Sequence, residues 1–394
     1  MSPSALQLTE RLLDPAVPGP ESATATTSTG RRIGVRAHRT YGTANTIRFR
    51  GRVVPEAWLK PAHGPDRWWR GVRSAFHWLE PDEVGGVNVT LQLASTGSPC
   101  SADAAPGDAG ADSITQSTEV TSAPDGTLSH TFHLEPPVDA SPGWRCVRAR
   151  VNVGRSDRSV QATSLGECLV PDPHAAYGVI SDIDNTILRC GTTEPLKLMW
   201  WIATRRASDR LLLPGVRDLY HSFHNAGTAA DGSFLGGNPL FYVSSAPHGH
   251  HDLLAALLER AGMPVGPVVM RDANNGSGAS AGFTHGPKES KIAQILQTYP
   301  KMRFVLLGNA CQEDAAIFAR IADRFPGRIL VAYIRSAGAM PSRRVVQAVA
   351  HASDRRTKMM LLPDSDSIAG HAASLGLIPP IPPNTQPIGV PAVA

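Results

Sequence analysis

The sequence predicts an α/β fold in which a small antiparallel β-sandwich precedes a domain built on a parallel sheet. In the N-terminal half, apolar and polar residues alternate in several segments with no helical pattern between them. In the C-terminal half, short and uniformly apolar segments alternate with amphipathic helical patterns. Polar side chains follow these apolar segments directly, as they do where ligands bind at the carboxyl edge of a parallel sheet.

The N-terminal half is predicted to begin with a disordered lead over residues 1–33, which are rich in Ser, Thr, Pro and Ala. The sandwich is predicted over residues 35–165, where alternation is clearest at 47–52, 87–93 and 147–153. The segment 95–122 is rich in Gly, Ala, Ser and Asp and is predicted to be a loop. Arginines on the outer strand faces have two interpretations, a solvated face that protects sheet edges or a patch for anionic surfaces.

The strand predicted at Val179 and Ile180 ends in the sequence Asp182-Ile183-Asp184. Side chains alternate along a strand, so Ile183 points away while both carboxylates face one site. One carboxylate can attack phosphorus while the other protonates the leaving oxygen. The alternative is a strand that ends in an ordinary Asp-Asn turn.

Three further polar elements follow in an order that fits phosphoryl chemistry. Ser244 and Ser245 end an apolar strand and precede a helix, where a hydroxyl and helix amides can bind a phosphate oxygen. Lys288 precedes an amphipathic helix, and a strand at 304–307 is followed by a polar segment that reaches Asp314. Oxygen ligands in that segment would complete a Mg²⁺ site with Asp182 and the main chain of Asp184.

These motifs together resemble the haloacid-dehalogenase superfamily of phosphohydrolases, and most closely the catalytic domain of phosphatidate phosphatases of the actin-patch-protein type. The resemblance implies a Rossmann-like catalytic domain, predicted over residues 174–378, and a Mg²⁺ cofactor. The motif segments that carry it are 178–187, 241–248, 287–292, 304–314 and 332–336.

The resemblance also implies a role for each matched residue. Asp182 is the nucleophile that becomes an aspartyl phosphate, and Asp184 is the general acid and then the base. Thr186 supports the loop, and Asn309 with Asp314 completes the metal shell. The transferred phosphoryl group is bound by Lys288 and by Ser244 or Ser245.

One departure from the family pattern bears on activity. The family has an aspartate where this chain has Asn309, whereas the change at Asn185 falls at a variable position. Asparagine keeps a carbonyl oxygen that can bind a hard cation, but it removes one negative charge from the site. The mild consequence is weaker Mg²⁺ binding, and the severe one is loss of turnover.

A segment between the first two motifs is predicted to contact substrate or membrane. Trp200 and Trp201 stand next to each other, close to Lys197, Arg205 and Arg206. The indoles can lie among lipid headgroups while the cations contact phosphates, which predicts peripheral contact with an anionic membrane surface. The alternative is an amphipathic hairpin that buries both indoles against its own domain.

Composition excludes several other classes of protein. The formal net charge is only +4, so the chain lacks the charge of a nucleic-acid-binding protein. Five scattered cysteines do not predict a disulfide framework, and no signal pattern or membrane-spanning run is present, which predicts a cytoplasmic protein. The histidines His248, His250 and His251 are predicted to face solvent at a helix start. Residues 379–394 are predicted to form a Pro-rich disordered tail.

The sequence therefore predicts a Mg²⁺-dependent phosphatase of lipid metabolism that converts phosphatidate to diacylglycerol through an aspartyl phosphate. Two alternatives stay open at this stage. One is a phosphatase for a soluble phosphomonoester, and the other is a catalytically weakened protein that binds lipid or a partner.

Overall fold

A computed structural model describes thirteen segments of the chain: 25–26, 32–55, 84–94, 114–135, 142–153, 160–188, 212–227, 237–247, 251–271, 286–311, 313–336, 341–354 and 358–380. The Trp200 and Trp201 prediction, His248 and His250 lie outside the described residues. So do most of the predicted lead and nearly all of the predicted tail.

Two β-sheets in the first part of the chain pack face to face. The first has the strand order β1-β2-β4-β7 and the second the order β3-β9-β8-β5-β6. Neighbouring strands are antiparallel except for the short β3, which pairs with β9 in parallel. The strands are β1 Ala25–Thr26, β2 Arg32–His38, β3 Thr40–Tyr41, β4 Thr46–Pro55, β5 Asn88–Ala94, β6 Ile114–Thr121, β7 Thr127–His133, β8 Gly143–Val153 and β9 Val160–Val170.

The predicted alternation explains how these two sheets bury one core. In β4, for example, Ile47, Phe49 and Val53 are buried, while the three arginines that alternate with them at 48, 50 and 52 are only partly covered. These side chains meet those of Leu91 in β5 and Ala149 in β8, so the core lies between the two sheets. The predicted alternating strands are thus confirmed, whereas the limits 35 and 165 of the sandwich domain stay predictions.

Two predictions for this region were wrong. Part of the predicted loop at 95–122 is a strand, β6, whose alternation is hidden because its polar residues face outward on a sheet edge. Part of the predicted disordered lead also pairs, since β1 lies antiparallel to β2. The sequence gives weak signals at both places because edge strands bury few apolar side chains.

The second part of the chain contains a six-stranded sheet in which all neighbouring strands are parallel. Its order is β12-β11-β10-β13-β14-β15, so the chain adds strands on one side of β10 and then moves to the other. The order therefore reverses between β10 and β13, which is where a crevice forms at the carboxyl ends of parallel strands. The strands are β10 Gly178–Asp182, β11 Leu240–Pro247, β12 Val268–Arg271, β13 Phe304–Asn309, β14 Ile329–Arg335 and β15 Met359–Leu362.

Helices cover both faces of this sheet. One apolar core contains Val179 of β10 together with α1, α2 and α6, and the other contains Ile180 together with α3, α4 and α5. Adjacent strand residues therefore serve opposite layers, which is why these strands are uniformly apolar. The helices are α1 Val216–Asn225, α2 His251–Arg260, α3 Pro287–Thr298, α4 Asp314–Arg324, α5 Arg343–Asp354 and α6 Ser365–Ser374.

The antiparallel sheets contact the parallel-sheet part through a buried seam. The hydroxyl of Tyr299, just after α3, donates to the main-chain oxygen of Gly42 at 2.9 Å. Tyr41 packs edge-on against Phe241 of β11 with ring centroids 5.6 Å apart. The guanidinium of Arg48 lies 4.9 Å from the centre of the Tyr41 ring. The two parts of the chain thus share apolar and polar contacts.

Two arginines on strand faces, Arg36 of β2 and Arg48 of β4, have partners within the chain. Arg48 donates to the Thr298 hydroxyl at 3.3 Å, and Arg36 pairs with Asp252 of α2 at 2.8 Å. Both side chains reach across the seam to the parallel-sheet part. They are held by partners within the chain because the outer face of this sheet is covered there.

Two chain-wide features complete the description. Among the described residues, no helix is long and apolar enough to cross a membrane. Among the described cysteines, Cys168 is buried and Cys311 is exposed. Cys146 is disulfide-bonded.

Candidate active site

The parallel strands bring the predicted site residues to one edge of the sheet. Asp182 ends β10 and Asn309 ends the adjacent strand β13, so these two side chains leave neighbouring strand ends. Lys288 is the second residue of α3, and Asp314 is the first residue of α4. These residues therefore lie at the carboxyl edge of the sheet, which is the location predicted from the apolar strands and the polar residues that follow them. In the structure this is also the point where the strand order reverses.

Three buried charges form the centre of this site. The Nζ atom of Lys288 lies 2.6 Å from Oδ1 of Asp182 and also donates to Oδ1 of Asp314. No more than 4% of any of these residues is exposed. One lysine thus balances only one of two carboxylates, and the cluster keeps a net negative charge unless it holds a further proton or cation.

Burial and mutual contact shift the pKa values of these groups. Burial raises the pKa of Asp182 to about 8, and the charge of Asp314 adds to this against the opposing effect of Lys288. Burial acts to lower the pKa of Lys288, but the two carboxylates outweigh it and raise that pKa above the ordinary value. Lys288 is therefore charged at neutral pH, whereas burial disfavours the charged form of Asp182.

Asn309 directs its amide nitrogen at the oxygens that were predicted to bind Mg²⁺. Nδ2 lies 2.8 Å from Oδ2 of Asp182, 2.8 Å from the main-chain oxygen of Asp184 and 3.1 Å from Oδ2 of Asp314. Oδ1 of the same amide accepts from the main-chain N–H of Cys311 at 2.8 Å. Reversing the amide would set oxygen against oxygen and N–H against N–H, so the network fixes this orientation.

The oxygen atoms at this point are of the kind that binds Mg²⁺, but the Asn309 side chain presents its N–H groups to them and not its own oxygen. Two carboxylate oxygens and one main-chain oxygen surround a common point, and such hard oxygen ligands suit Mg²⁺. The predicted ligand oxygen of Asn309, however, is turned towards Cys311. A cation at this point would compete with the Asn309 N–H groups for the same three oxygens.

The loop after β10 holds Asp182 from a second side. Asn185 adopts a left-handed backbone conformation with φ of 59°, which asparagine tolerates better than most residues. This turn brings the Thr186 hydroxyl to 3.1 Å from Oδ2 of Asp182, where it donates a hydrogen bond. Asp182 thus receives donors from Lys288, Thr186 and Asn309.

Asp184 and Ser244 lie at the outer side of the cluster. The Ser244 hydroxyl donates to Oδ2 of Asp184 at 3.4 Å and accepts from the main-chain N–H of Ala246 at 3.1 Å. Ser244 is buried and Asp184 is partly exposed, whereas Ser245 is exposed. Of the two serines predicted to bind phosphate, Ser244 is the one in contact with the acidic pair.

Arg335 is a buried cation at the same sheet edge for which no role was predicted. Arg335 ends β14 beside Asn309, and its guanidinium donates to the Ser365 hydroxyl at 2.8 Å and to the Pro214 oxygen at 3.4 Å. These contacts tie the starts of α6 and α1 to the end of β14. The sequence signal that could have identified Arg335 is a charged residue at the end of an apolar strand.

The region around this site matches a known catalytic domain. Residues 177–336 match the family model described as phosphatidate phosphatase APP1, catalytic domain. Over 160 residues the chain is 32% identical to phosphatidate phosphatase APP1 of Saccharomyces cerevisiae, an alignment that covers 40% of this chain and 25% of the yeast protein. The predicted resemblance to the catalytic domain of actin-patch-protein-type phosphatidate phosphatases is confirmed. The chain spans about a quarter of the length of the curated relative it matches.

Solved structures show only weak similarity. A β-glucuronidase of Parabacteroides merdae covers 84% of this chain and 39% of its own, at 9% identity and a TM-score of 0.23. A sialyltransferase from Photobacterium damsela covers 60% of this chain and 46% of its own, at 9% identity and a TM-score of 0.21. Similarity at this level carries no argument about fold or function.

Gly308 allows α4 to approach β13, and its replacement tests this packing. A Cβ at position 308 would lie 2.8 Å from both Cβ and Oδ2 of Asp314 and 2.8 Å from the Phe318 ring. We expect Gly308→Ala to lower the free energy of unfolding by about 1–3 kcal/mol, because an overpacked core must shift. The measurement is urea unfolding followed by circular dichroism.

Gly370→Ala is the matched control for this prediction. Gly370 lies inside α6, has an ordinary φ and has open space around its Cα, so alanine there should stabilise the helix by about 0.5–1 kcal/mol. Equal unfolding midpoints for Gly308→Ala and the wild type would show that α4 does not depend on this close approach.

Proposed function

We propose that this protein is a phosphatase that hydrolyses a phosphomonoester, with phosphatidate as the substrate and diacylglycerol and phosphate as the products. The supporting observation is that Asp182, Asp184 and Lys288 converge at one sheet edge inside a segment that matches a phosphatidate phosphatase catalytic domain. The strand order and the position of this site at the point where the order reverses are those of a doubly wound sheet, which supports the proposal of a Rossmann-like domain of the haloacid-dehalogenase type.

In the first proposed step, a carboxylate oxygen of Asp182 attacks the phosphorus atom. A bond forms between this oxygen and phosphorus while the ester bond from phosphorus to the leaving oxygen breaks. Asp184 gives its proton to the leaving oxygen, so diacylglycerol departs as a neutral alcohol. Lys288 balances the negative charge around Asp182, which lowers the repulsion between this carboxylate and the incoming phosphate.

In the second proposed step, water hydrolyses the aspartyl phosphate. Asp184, now a carboxylate, accepts a proton from the water molecule as its oxygen bonds to phosphorus. The bond between phosphorus and Asp182 breaks, and the carboxylate is restored. The position of Asp184 suits this double role, because it is partly exposed and its carboxylate is oriented by the Ser244 hydroxyl.

Mg²⁺ is proposed as the cofactor, held by oxygens of Asp182, Asp184 and Asp314. When bound, such an ion neutralises charge on the transferred phosphoryl group. Because the Asn309 amide donates to the same oxygens, we infer that the cation binds more weakly than it would to a site with an aspartate at this position. This competition also favours the second candidate function, a binding protein with weakened catalysis.

Replacement of the nucleophile tests the phosphatase proposal. Asp182→Asn is nearly isosteric, but an amide cannot form the aspartyl phosphate. We expect phosphate release from phosphatidate in mixed vesicles to fall by a factor of at least about 1000, which corresponds to about 4 kcal/mol of barrier. Asp218→Asn, at an exposed position of α1, is the matched control and should leave the rate unchanged.

The same assay separates the candidate functions. Hydrolysis of p-nitrophenyl phosphate without hydrolysis of phosphatidate would support the alternative of a soluble substrate. If the wild type hydrolyses neither substrate at high Mg²⁺, the phosphatase proposal fails and the binding-protein function is supported instead. Full activity in Asp182→Asn would contradict the assignment of the nucleophile.

Asn309→Asp tests the competition between amide and cation. The variant removes two N–H donors and gathers three carboxylates around one point, so it should unfold at lower temperature in a chelator. Added Mg²⁺ should raise the unfolding temperature of the variant more than that of the wild type. We expect roughly tenfold tighter Mg²⁺ binding, equivalent to about 1.4 kcal/mol.

Isothermal titration with Mg²⁺ measures this affinity independently of turnover. Asn238→Asp is a control that introduces the same charge at another buried asparagine, where no site is proposed. If the wild type binds Mg²⁺ as tightly as Asn309→Asp, the amide does not oppose the cation and our inference fails.

Contact with a membrane through Trp200 and Trp201 is proposed from the sequence. The double change to alanine should weaken sedimentation with vesicles that contain phosphatidate, and raised salt should weaken it further by screening the nearby cations. Hydrolysis of soluble p-nitrophenyl phosphate should stay nearly constant. Trp144→Ala in β8 serves as the control, and equal sedimentation of both variants would remove the membrane role of the pair.

A further inference from the structure

A second cluster of ligand-type side chains lies in the seam between the antiparallel sheets and the parallel-sheet part. His38 ends β2, whereas His251 and Asp252 are the first two residues of α2. One ligand atom from each of the three residues lies within 4.8 Å of the other two. The sequence analysis expected His251 to face solvent, but it is buried because His38 covers it from the opposite side of the seam.

The geometry around Asp252 is close to that of a shared metal ion. Its Oδ1 atom lies 3.4 Å from Nε2 of His38 and 3.3 Å from Nδ1 of His251. Ligand atoms at about 2.0–2.1 Å from a tetrahedral zinc ion are roughly 3.3 Å apart, as these pairs are. The two imidazole rings stack with centroids 3.8 Å apart, which keeps both rings beside the same carboxylate.

The chemistry of the three side chains selects a class of ion. Two imidazole nitrogens and one carboxylate oxygen are a ligand set for Zn²⁺ and related divalent transition metals, whereas Mg²⁺ prefers oxygen ligands throughout. The set differs in kind from the oxygen ligands around Asp182. The His38, His251 and Asp252 cluster should therefore prefer Zn²⁺ and related ions, whereas the oxygens around Asp182 should prefer Mg²⁺.

Arg36 orients the carboxylate without occupying the oxygen that faces the histidines. Its Nη1 atom donates to Oδ2 of Asp252 at 2.8 Å and leaves Oδ1 directed at the two imidazoles. An outer partner of this kind fixes the position of a metal-binding carboxylate. Burial opposes the charged form, but Arg36 and both histidines hold the pKa of Asp252 well below its usual range, so the ligand is ionised at neutral pH.

The burial of the cluster leaves a path for an ion and for one more ligand. The side chains of His38 and His251 are only 5% and 8% exposed, whereas that of Asp252 is 29% exposed. The imidazoles are thus shielded while the carboxylate side is open to solvent. A water molecule can reach a fourth coordination position from that side.

We propose that His38, His251 and Asp252 form a binding site for a zinc-class divalent metal ion that joins the antiparallel sheets to the parallel-sheet part of the chain. The ion takes one ligand from β2 and two from α2, so it crosslinks two parts of the sequence that are otherwise joined by the seam contacts. This site is independent of the phosphatase proposal, since it shares no residue with the Asp182 cluster.

Metal binding by the full chain tests the proposal directly. The purified protein is stripped with a chelator, dialysed and titrated with Co²⁺, whose visible absorption reports tetrahedral nitrogen and oxygen ligands. We expect one equivalent to give this absorption and Zn²⁺ to displace it, while Mg²⁺ in large excess does not. Zn²⁺ should also raise the unfolding temperature, because a ligand that binds only the folded chain stabilises it.

Variants test whether these residues bind the ion. His38→Gln and Asp252→Asn keep side chains of similar size and should weaken Zn²⁺ binding by at least about tenfold. The exposed His174→Ala and the active-site change Asp182→Asn should leave Zn²⁺ binding unchanged. Circular dichroism checks that each variant is folded.

Two results would overturn the proposal. The first is a stripped wild-type chain that gives no tetrahedral Co²⁺ absorption and no Zn²⁺-dependent shift in unfolding temperature, a measurement that needs no variant. The second is equal Zn²⁺ affinity in the wild type, His38→Gln and Asp252→Asn. In either case the cluster is a metal-free ion pair that holds the seam together through Arg36 and Asp252.

Discussion

The buried ion pair network of Asp182, Lys288 and Asp314 is the interaction on which the site depends. Removing one member of such a network leaves a charge without its partner in a region of low dielectric, which typically costs about 3–5 kcal/mol. The three residues come from β10, α3 and α4, so the network also fixes where both helices meet the sheet edge. Chemistry and packing therefore share the same contacts.

One lysine cannot neutralise two carboxylates, and this imbalance explains the position of Asn309. Its N–H groups donate to both acidic residues on the side away from Lys288, which partly satisfies the remaining negative charge. The amide does so without a formal charge. Unlike a bound cation, it also stays in place when metal is scarce. The same contacts that stabilise the cation-free state must be given up when a cation binds, so stability without metal and affinity for metal oppose each other here.

The sequence predicted the parallel-sheet part well because burial on both faces leaves a strong pattern. Val179 and Ile180 of β10 and residues 304–307 of β13 are apolar, and the polar residues at the ends of these strands mark the sheet edge without further information. The direction of the Asn309 amide was not predictable, since it depends on which donors and acceptors the folded loop presents. Strand β6 was missed because its outward residues are polar and few of its side chains reach the core.

Contacts across the seam were the hardest to predict, because no local pattern records them. His38 and Asp252 are far apart in sequence, and each looks like an ordinary surface residue within its own segment. The arginines of β2 and β4 looked like a solvated face for the same reason. Sequence periodicity shows which face of a strand is apolar, but it does not show which polar face another part of the chain will cover.

The antiparallel sheets contribute no residue to the Asp182 cluster, but they can influence it through the seam. Helix α3 carries Lys288 at its start, while Thr298 at its end and Tyr299 just beyond it bond to Arg48 and Gly42. Twelve helical residues span about 18 Å, so a small displacement of one end tilts the other. Helix α2 is held similarly at its start by Arg36, shortly after the strand that positions Ser244. Anchoring these two helices limits the motion of the lysine and the serine, which is the constraint that a preorganised phosphate site requires.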